Sequence, residues 1–197
     1  MVDSDMRLFH FSDDPGITRF SPKSVRTPAE RPEGMEWLNG PLVWAIDEWH
    51  EPMYLFPREC PRILLWATPE TTAQDRVQWL GESEHRMIAY IETDWLEQVK
   101  HGVIHRYELP ASQFENLDDA GMWVSRSDVE PLSVDKLTSL PEELRTRDVE
   151  LRAIDRLSPL KPVWRSSLHA SGIRLRNAQD WGSPAWTHSK KGRPVVL

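Results

Sequence analysis

A histidine and a serine stand at the end of the first apolar segment of the chain, directly before a turn. His10 lies within the run Leu8–Phe11, Ser12 follows it, and the next four residues, Asp13 to Gly16, all favour a bend. Because ligands often bind where a strand meets a turn, His10 and Ser12 are candidate ligand contacts. The alternative is a structural histidine that packs within the strand and hydrogen-bonds to a backbone carbonyl.

The segment YLFPRECPRI places two arginines in an apolar setting. The guanidinium groups of Arg58 and Arg62 could form a fork that binds phosphate or carboxylate, since each presents paired planar donors. Alternatively, each arginine pairs with Glu59, Glu48 or Glu51 and fixes the loop between two strands. From the sequence we favour this second interpretation.

The single cysteine, Cys60, allows no intramolecular disulfide. It could act as a nucleophile if the two neighbouring arginines lowered the pKa of its thiol. Single cysteines are more often small buried hydrophobic residues, and we expect the same here.

Three histidines lie near glutamates, so metal ligation has to be considered: His50, His101 and His105. None of the spacings typical of zinc or non-haem iron sites occurs among them. We therefore expect no metal site.

The pattern of apolar runs and breakers predicts the elements that would position these residues. Predicted strands cover 7–11, 42–47, 62–67, 86–92, 103–109, 121–125 and 129–134. Helices are predicted from the cap Thr68 to about Leu80 and over 93–102, with one helical turn near Met53–Phe56. The proline-rich residues 21–41 form a long loop.

The last third of the sequence has a different pattern. Leu144, Leu151, Ile154 and Leu157 recur close to helical spacing, and a second helix is predicted over Val163–Ala170. We expect an α+β domain with a curved mixed or antiparallel sheet over residues 1–136. Residues 137–197 would form a C-terminal helical extension and wrapping tail packed on the same domain.

Composition narrows the class of protein. A formal net charge of −7 argues against a general nucleic-acid binder, which normally carries a basic surplus. The N-terminus is acidic, and no apolar run approaches the roughly 18 residues of a membrane span. We expect a soluble, cytoplasmic protein without a membrane segment, and the sequence does not predict its oligomeric state.

Several segments resemble known families. HFSDDP, VWAID and PRECPR are similar to the pattern of a family of bacterial proteins of unknown function. The order of LFHFS, VWAID, MIAYIE, IHRYELP and MWVSRSDVEPLSV resembles the small split-sheet domains of the ADP-ribosyltransferase-like superfamily. In that resemblance His10 and Ser12 match the first strand, and Tyr107 to Pro110 matches a middle strand.

The second resemblance implies a ligand and a reaction. The ligand would be NAD, with His10 bonded to a ribose hydroxyl beside Ser12, and with Tyr107, Arg58 and Arg62 also at the site. The reaction would be cleavage of the nicotinamide–ribose bond, with ADP-ribosyl transfer to an acceptor. The catalytic glutamate of those transferases usually begins the late strand, where this chain has Met122 or Trp123. The alternative function is therefore a non-catalytic module that binds an anionic, nucleotide-like ligand or a protein.

Overall fold

The computed structural model describes residues 6–25, 28 and 30–182 of the 197-residue chain. The strands in this part are β1 (Leu8–Ser12), β2 (Val43–Asp47), β3 (Arg62–Trp66), β4 (Met87–Glu92), β5 (Ile104–Leu109), β6 (Glu115–Asn116), β7 (Met122–Ser125), β8 (Ser133–Leu137), β9 (Val149–Ile154) and β10 (His169–Ile173). The α-helices are α1 (Ala73–Trp79), α2 (Leu96–His101) and α3 (Leu140–Thr146). Short 3-10 helices cover Glu36–Asn39, Glu51–Tyr54, Thr93–Trp95, Ala111–Gln113, Ser158–Arg165 and Leu175–Asn177.

The strands form two sheets. The first has the order β6-β7-β2-β1-β5-β8 and is antiparallel throughout. The second has the order β10-β3-β4-β9, in which only the β4–β9 pair is parallel. The predicted α+β class is confirmed.

Alternating side chains on the central strands produce three apolar layers. Phe9 of β1 packs with Leu64 of β3 in a cluster that fills the space between the two sheets. Their sequence neighbours Leu8 and Ile63 point the other way, into separate clusters on the outer faces. Because successive strand residues face opposite sides, both sheets bury apolar surface on both faces.

The strands β3 and β4 are the most buried part of the fold. Every residue of RILLW and MIAYIE is buried, which requires cover on both sides of the second sheet. The first sheet covers one side, and Leu157, Trp164 and Trp181 from the C-terminal third cover the other. No helix in the described part of the chain is long and apolar enough to cross a membrane.

The helical interpretation of the C-terminal third is wrong over two segments. Val149–Ile154 forms β9 and pairs with β4. The helix predicted over Val163–Ala170 is a 3-10 helix only up to Arg165, and its last two residues begin β10 (His169–Ile173), which pairs with β3. The helix α3 stops at Thr146 because Asp148, with φ of 59°, leaves the right-handed helical region. Residues after 136 thus supply both edge strands of the second sheet, and the expected wrapping tail beyond residue 182 lies outside the described residues.

Smaller differences affect two other elements. The helix α1 begins after Thr72, whose hydroxyl accepts a hydrogen bond from the Asp75 amide, and not after Thr68. The strand predicted over 129–134 is displaced to Ser133–Leu137, and Val129 forms an isolated bridge with Phe20 instead.

The buried carboxylate of Glu92 fixes the C-terminal third to β4. Its Oε1 accepts hydrogen bonds from the Leu157 amide at 3.2 Å and the Gln179 amide at 3.0 Å. The residue is 1% exposed. A buried carboxylate is stable when amide donors satisfy it, so the role of Glu92 is structural.

A second buried carboxylate connects three parts of the fold. Both oxygens of Glu51 accept from Arg106 Nη1 of β5 at 3.1 Å, and Oε1 also accepts from Arg147 Nε. Glu51 lies in the 3-10 helix after β2 and is 2% exposed. Removing its charge would leave two largely buried guanidinium groups without their shared partner.

Replacing Glu51→Gln should therefore lower the free energy of unfolding by about 3–5 kcal/mol, the usual cost of breaking a buried ion pair. The matched control is Glu48→Gln, which removes an exposed ion pair with Arg7 and should cost at most about 1 kcal/mol. Urea denaturation of both variants measures the difference. Equal losses in the two variants would contradict a central role for Glu51.

Candidate functional site

A cavity of about 180 Å³ opens at one edge of the apolar layer between the sheets. It lies where the end of β1, the start of β5, the start of β3 and the end of β10 come together, with the connection from β2 to β3 closing it. The lining residues come from these five segments: His10, Phe11, Ser12, Asp13, Tyr54, Phe56, Arg58, Arg62, Ile104, Ile173 and Arg174.

The hydrogen bond of His10 fixes the position of its ring proton. Its Nδ1 lies 2.8 Å from the backbone oxygen of Trp44, and because a carbonyl only accepts, Nδ1 carries the proton. Burial lowers the pKa of His10 below its usual value, and the charge of Arg58 acts in the same direction. The ring is therefore neutral at neutral pH, and it lies against Phe20 with 4.7 Å between ring centroids. Its Nε2 is an acceptor and has no hydrogen-bond partner among the described residues.

The turn after β1 is held by Tyr107. The Tyr107 hydroxyl donates to the Asp14 carbonyl at 2.6 Å and accepts from the Ile17 amide at 3.1 Å. Ser12 Oγ accepts from the Asp14 amide at 3.1 Å, which leaves the Ser12 proton available to a ligand. Tyr107 is 1% exposed and does not line the cavity, so it positions the turn and makes no direct ligand contact.

Arg62 is a buried cation without a carboxylate partner among the described residues. Its Nε donates to the Met53 carbonyl at 2.8 Å and its Nη1 to the Cys60 carbonyl at 2.9 Å. Burial lowers the pKa of Arg62 to about 10, so the group remains charged at neutral pH. The Nη2 amine forms no hydrogen bond within the described part of the chain, and the side chain lines the cavity.

Two further arginines, Arg58 and Arg174, line the cavity with Arg62, and the three together are called the basic wall here. Arg58 is exposed, and its side chain forms no ion pair with any residue that the structure describes. Arg174 follows β10, and its Nε donates to the Arg58 carbonyl at 3.2 Å. Arg174 has φ of 56°, a left-handed conformation that is uncommon outside glycine and that clusters at functional sites.

The ion pairing that we favoured from the sequence for Arg58 and Arg62 is wrong. Glu59 contacts Arg176 at 3.5 Å and Arg174 at 3.9 Å, while Glu51 and Glu48 pair with arginines distant in the sequence. Arg62 does fix the loop before β3, but through backbone carbonyls.

Aromatic side chains form the apolar part of the wall. Phe11 and Tyr54 stack with 6.1 Å between ring centroids, and the Arg62 guanidinium lies 5.2 Å from the Phe56 ring centroid. Burial raises the pKa of Tyr54 to about 12, and its hydroxyl lies 3.7 Å from Met122 Sδ. This surface suits a flat or ring-shaped group next to an anion.

The structure brings together four of the five residues singled out from the sequence: His10, Ser12, Arg58 and Arg62. The fifth, Tyr107, lies behind the turn. The aromatic residues Tyr54 and Phe56 were not predicted as site residues, although they lie in an apolar run directly before Arg58. It also did not identify Asp13.

Other candidate chemistry lies elsewhere. Cys60 is completely buried, as expected for a small hydrophobic residue, and burial raises the pKa of its thiol to about 12. His50 bonds to Asp47 at 2.8 Å, and His101 is exposed beside Glu97. Within residues 6–25, 28 and 30–182 no group of histidine, cysteine and acidic side chains could hold a metal ion.

Comparison with known proteins identifies the family. A model of a family of unknown function, DUF6886, matches residues 9–178, a range that includes every residue of the cavity wall. The chain belongs to this family. No curated protein and no solved structure gives a significant match. Membership of a family of unknown function is thus confirmed, whereas the resemblance to ADP-ribosyltransferases stays a prediction.

The burial of the Cys60 thiol can be tested chemically. With a pKa of about 12, Cys60 should resist iodoacetamide at pH 8 in the native protein and react completely in denaturant. Mass spectrometry of both samples measures the modification. Rapid labelling of the native protein would contradict the burial of Cys60.

His10 should make stability depend on pH. The unfolded chain takes up a proton at a pKa near 6.5, which native His10 resists because its own pKa is lower. The free energy of unfolding should therefore fall as the pH drops below about 6.5, by up to about 1.4 kcal/mol per pH unit from this residue.

The control for this effect is His10→Asn, which keeps an N–H group near the Trp44 carbonyl but does not titrate. The difference in unfolding free energy between wild type and variant, measured from pH 8 to pH 5, should be constant above 6.5 and shift against the wild type below it. A constant difference over the whole range would contradict a lowered pKa.

Proposed function

We propose that the protein binds an anionic, nucleotide-like ligand in this cavity, with NAD as one candidate. The observation that carries the proposal is the guanidinium of Arg62. A buried charge without a counter-ion costs several kcal/mol, and such charges are normally paired. An anionic group of a ligand would supply the missing partner.

The positions of Arg58 and Arg174 support the same assignment. Both residues line the cavity that Arg62 lines. Arg58 has no ion-pair partner among the described residues, and Arg174 shares Glu59, at 3.9 Å, with Arg176. Several guanidinium groups around one small space bind phosphate or carboxylate well because they offer paired, charge-assisted donors.

The remaining wall favours a ligand with hydroxyl groups and a ring. Neutral His10 offers the acceptor Nε2, so its partner must be a donor such as a sugar hydroxyl. Ser12 offers a hydroxyl proton, and the rings of Phe11, Tyr54 and Phe56 offer an apolar surface. A phosphorylated sugar or nucleotide has all three kinds of group.

Transfer of ADP-ribose would require more than this arrangement. It needs a carboxylate that orients the ribose and stabilises the positive charge of the transition state, and β7 carries none. Among the described lining residues Asp13 is the one carboxylate. We therefore place ligand binding ahead of transferase activity as the proposed function.

A thermal-shift screen with NAD, ADP-ribose, nucleoside monophosphates and sugar phosphates tests the proposal. A ligand at one hundred times its Kd should stabilise the protein by about 2.7 kcal/mol and raise Tm accordingly. Arg58→Gln and Arg174→Gln should each reduce the affinity about tenfold or more, the effect of losing one charged hydrogen bond. Arg76→Gln, which alters an exposed arginine of α1 outside the cavity, is the matched control.

Failure of every ligand class to shift Tm, or shifts that persist in both cavity variants, would contradict the proposed site. Incubation with NAD separates binding from catalysis. Release of nicotinamide that is abolished by Asp13→Asn would assign cleavage of the nicotinamide–ribose bond, with ADP-ribose going to water or to an acceptor. Binding without release would leave the ligand-binding function.

A further inference from the structure

The charges of the cavity wall do not balance. Arg58, Arg62 and Arg174 carry three positive charges, Asp13 carries one negative charge, and His10 is neutral, which leaves a surplus of two positive charges. Glu59 does not line the cavity, but it pairs with Arg174 at 3.9 Å and with Arg176 at 3.5 Å. Counting Glu59 together with Arg176 leaves the surplus at two positive charges. A monoanion would leave part of this surplus uncompensated, whereas a dianion would match it.

The size of the cavity limits what it can enclose. Its volume of about 180 Å³ is slightly above the roughly 150 Å³ of a cavity that holds benzene, and below the roughly 300–1,000 Å³ of sites that enclose a drug-sized ligand. One phosphate and part of one ring fit such a space. A complete dinucleotide would have to extend into solvent.

We propose that the group held by the three arginines is a terminal phosphate monoester, a dianion, attached to a ring that carries a hydroxyl group. This inference rests on the proposed function and narrows its ligand class. A nucleoside monophosphate or a sugar phosphate has such a group. The diphosphate of NAD has one charge on each phosphate and substituents on both sides, so it matches the closed basic wall less well.

Phenyl phosphate and phenyl sulfate test this proposal as a matched pair. They have the same shape and the same ring, but at pH 7.5 the phosphate ester is mainly a dianion, with a second pKa near 6, and the sulfate ester is a monoanion. Isothermal titration calorimetry should give a Kd at least about tenfold lower for phenyl phosphate. At pH 5.0, where both esters carry one charge, the ratio should fall below about threefold.

The sulfate ester also controls for titration of the protein. The charged and titratable groups that face the cavity act on both esters alike, and they come from every element around it: His10, Asp13, Tyr54, Arg58, Arg62 and Arg174. A change in the ratio of the two affinities therefore reports the charge of the ligand. A comparison of AMP with NAD extends the test, and AMP should bind more tightly.

Arginine variants test whether the positive charges of the basic wall cause the tighter binding of phenyl phosphate. Arg174→Gln, or Arg58→Gln if the first variant is unstable, should reduce the phosphate-to-sulfate ratio at pH 7.5, because one positive charge is lost. Arg76→Gln should leave the ratio unchanged, since Arg76 is an exposed residue of α1 outside the cavity wall. Equal Kd values for the two esters at pH 7.5, or tighter binding of NAD than of AMP, would overturn the monoester assignment while leaving the anion site in place. Absence of binding for all four compounds would overturn both proposals.

Discussion

The guanidinium group of Arg62 connects the stability of this protein with its candidate site. Two of its nitrogens donate to the carbonyls of Met53 and Cys60, and so the 3-10 helix and the loop before β3 are fixed against the first residue of that strand. The rest of the group lines the cavity. Since no carboxylate of the described residues neutralises it, its charge acts on any ligand that enters, with little screening by solvent.

The cavity exists because two sheets meet at an edge that neither covers completely. The first sheet brings the end of β1 with His10, and the second brings Arg62 at the start of β3 and Arg174 after β10. The pairing of β10 with β3 places Ile173 directly opposite Arg62, which sets Arg174 beside the β2–β3 connection. Arg58 and Arg174, which are 116 positions apart in the chain, thus form one basic wall with Arg62, and the apolar layer behind them keeps it rigid.

Sequence patterns predicted the local features well and the long-range features poorly. The strands β1 to β5 and β7 follow from short apolar runs bounded by prolines, glycines and acids, and the position of His10 and Ser12 before a turn follows from the same pattern. The strand β9 was interpreted as helical because Leu144, Leu151 and Ile154 fit a helical period, whereas pairing with β4 decides its structure. The strand β10 was not predicted, and only its first two residues fell within the helix predicted over Val163–Ala170. Likewise, the acidic residues nearest to Arg58 and Arg62 in the sequence suggested local ion pairs. Glu51 instead forms ion pairs with Arg106 and Arg147, which lie 55 and 96 positions away in the chain.

The structural role of Arg62 does not explain its charge. The carbonyls of Met53 and Cys60 need hydrogen-bond donors, and a neutral donor could satisfy them without the cost of burying a cation. An arginine at this position contributes a positive charge beyond that requirement, and the protein bears the desolvation of that charge in its unliganded state. Arg174 adds a conformational cost beside the same cavity, because its backbone adopts a left-handed conformation. Two features that oppose stability, one electrostatic and one conformational, thus lie at the wall of the same small cavity, where we propose that an anion binds.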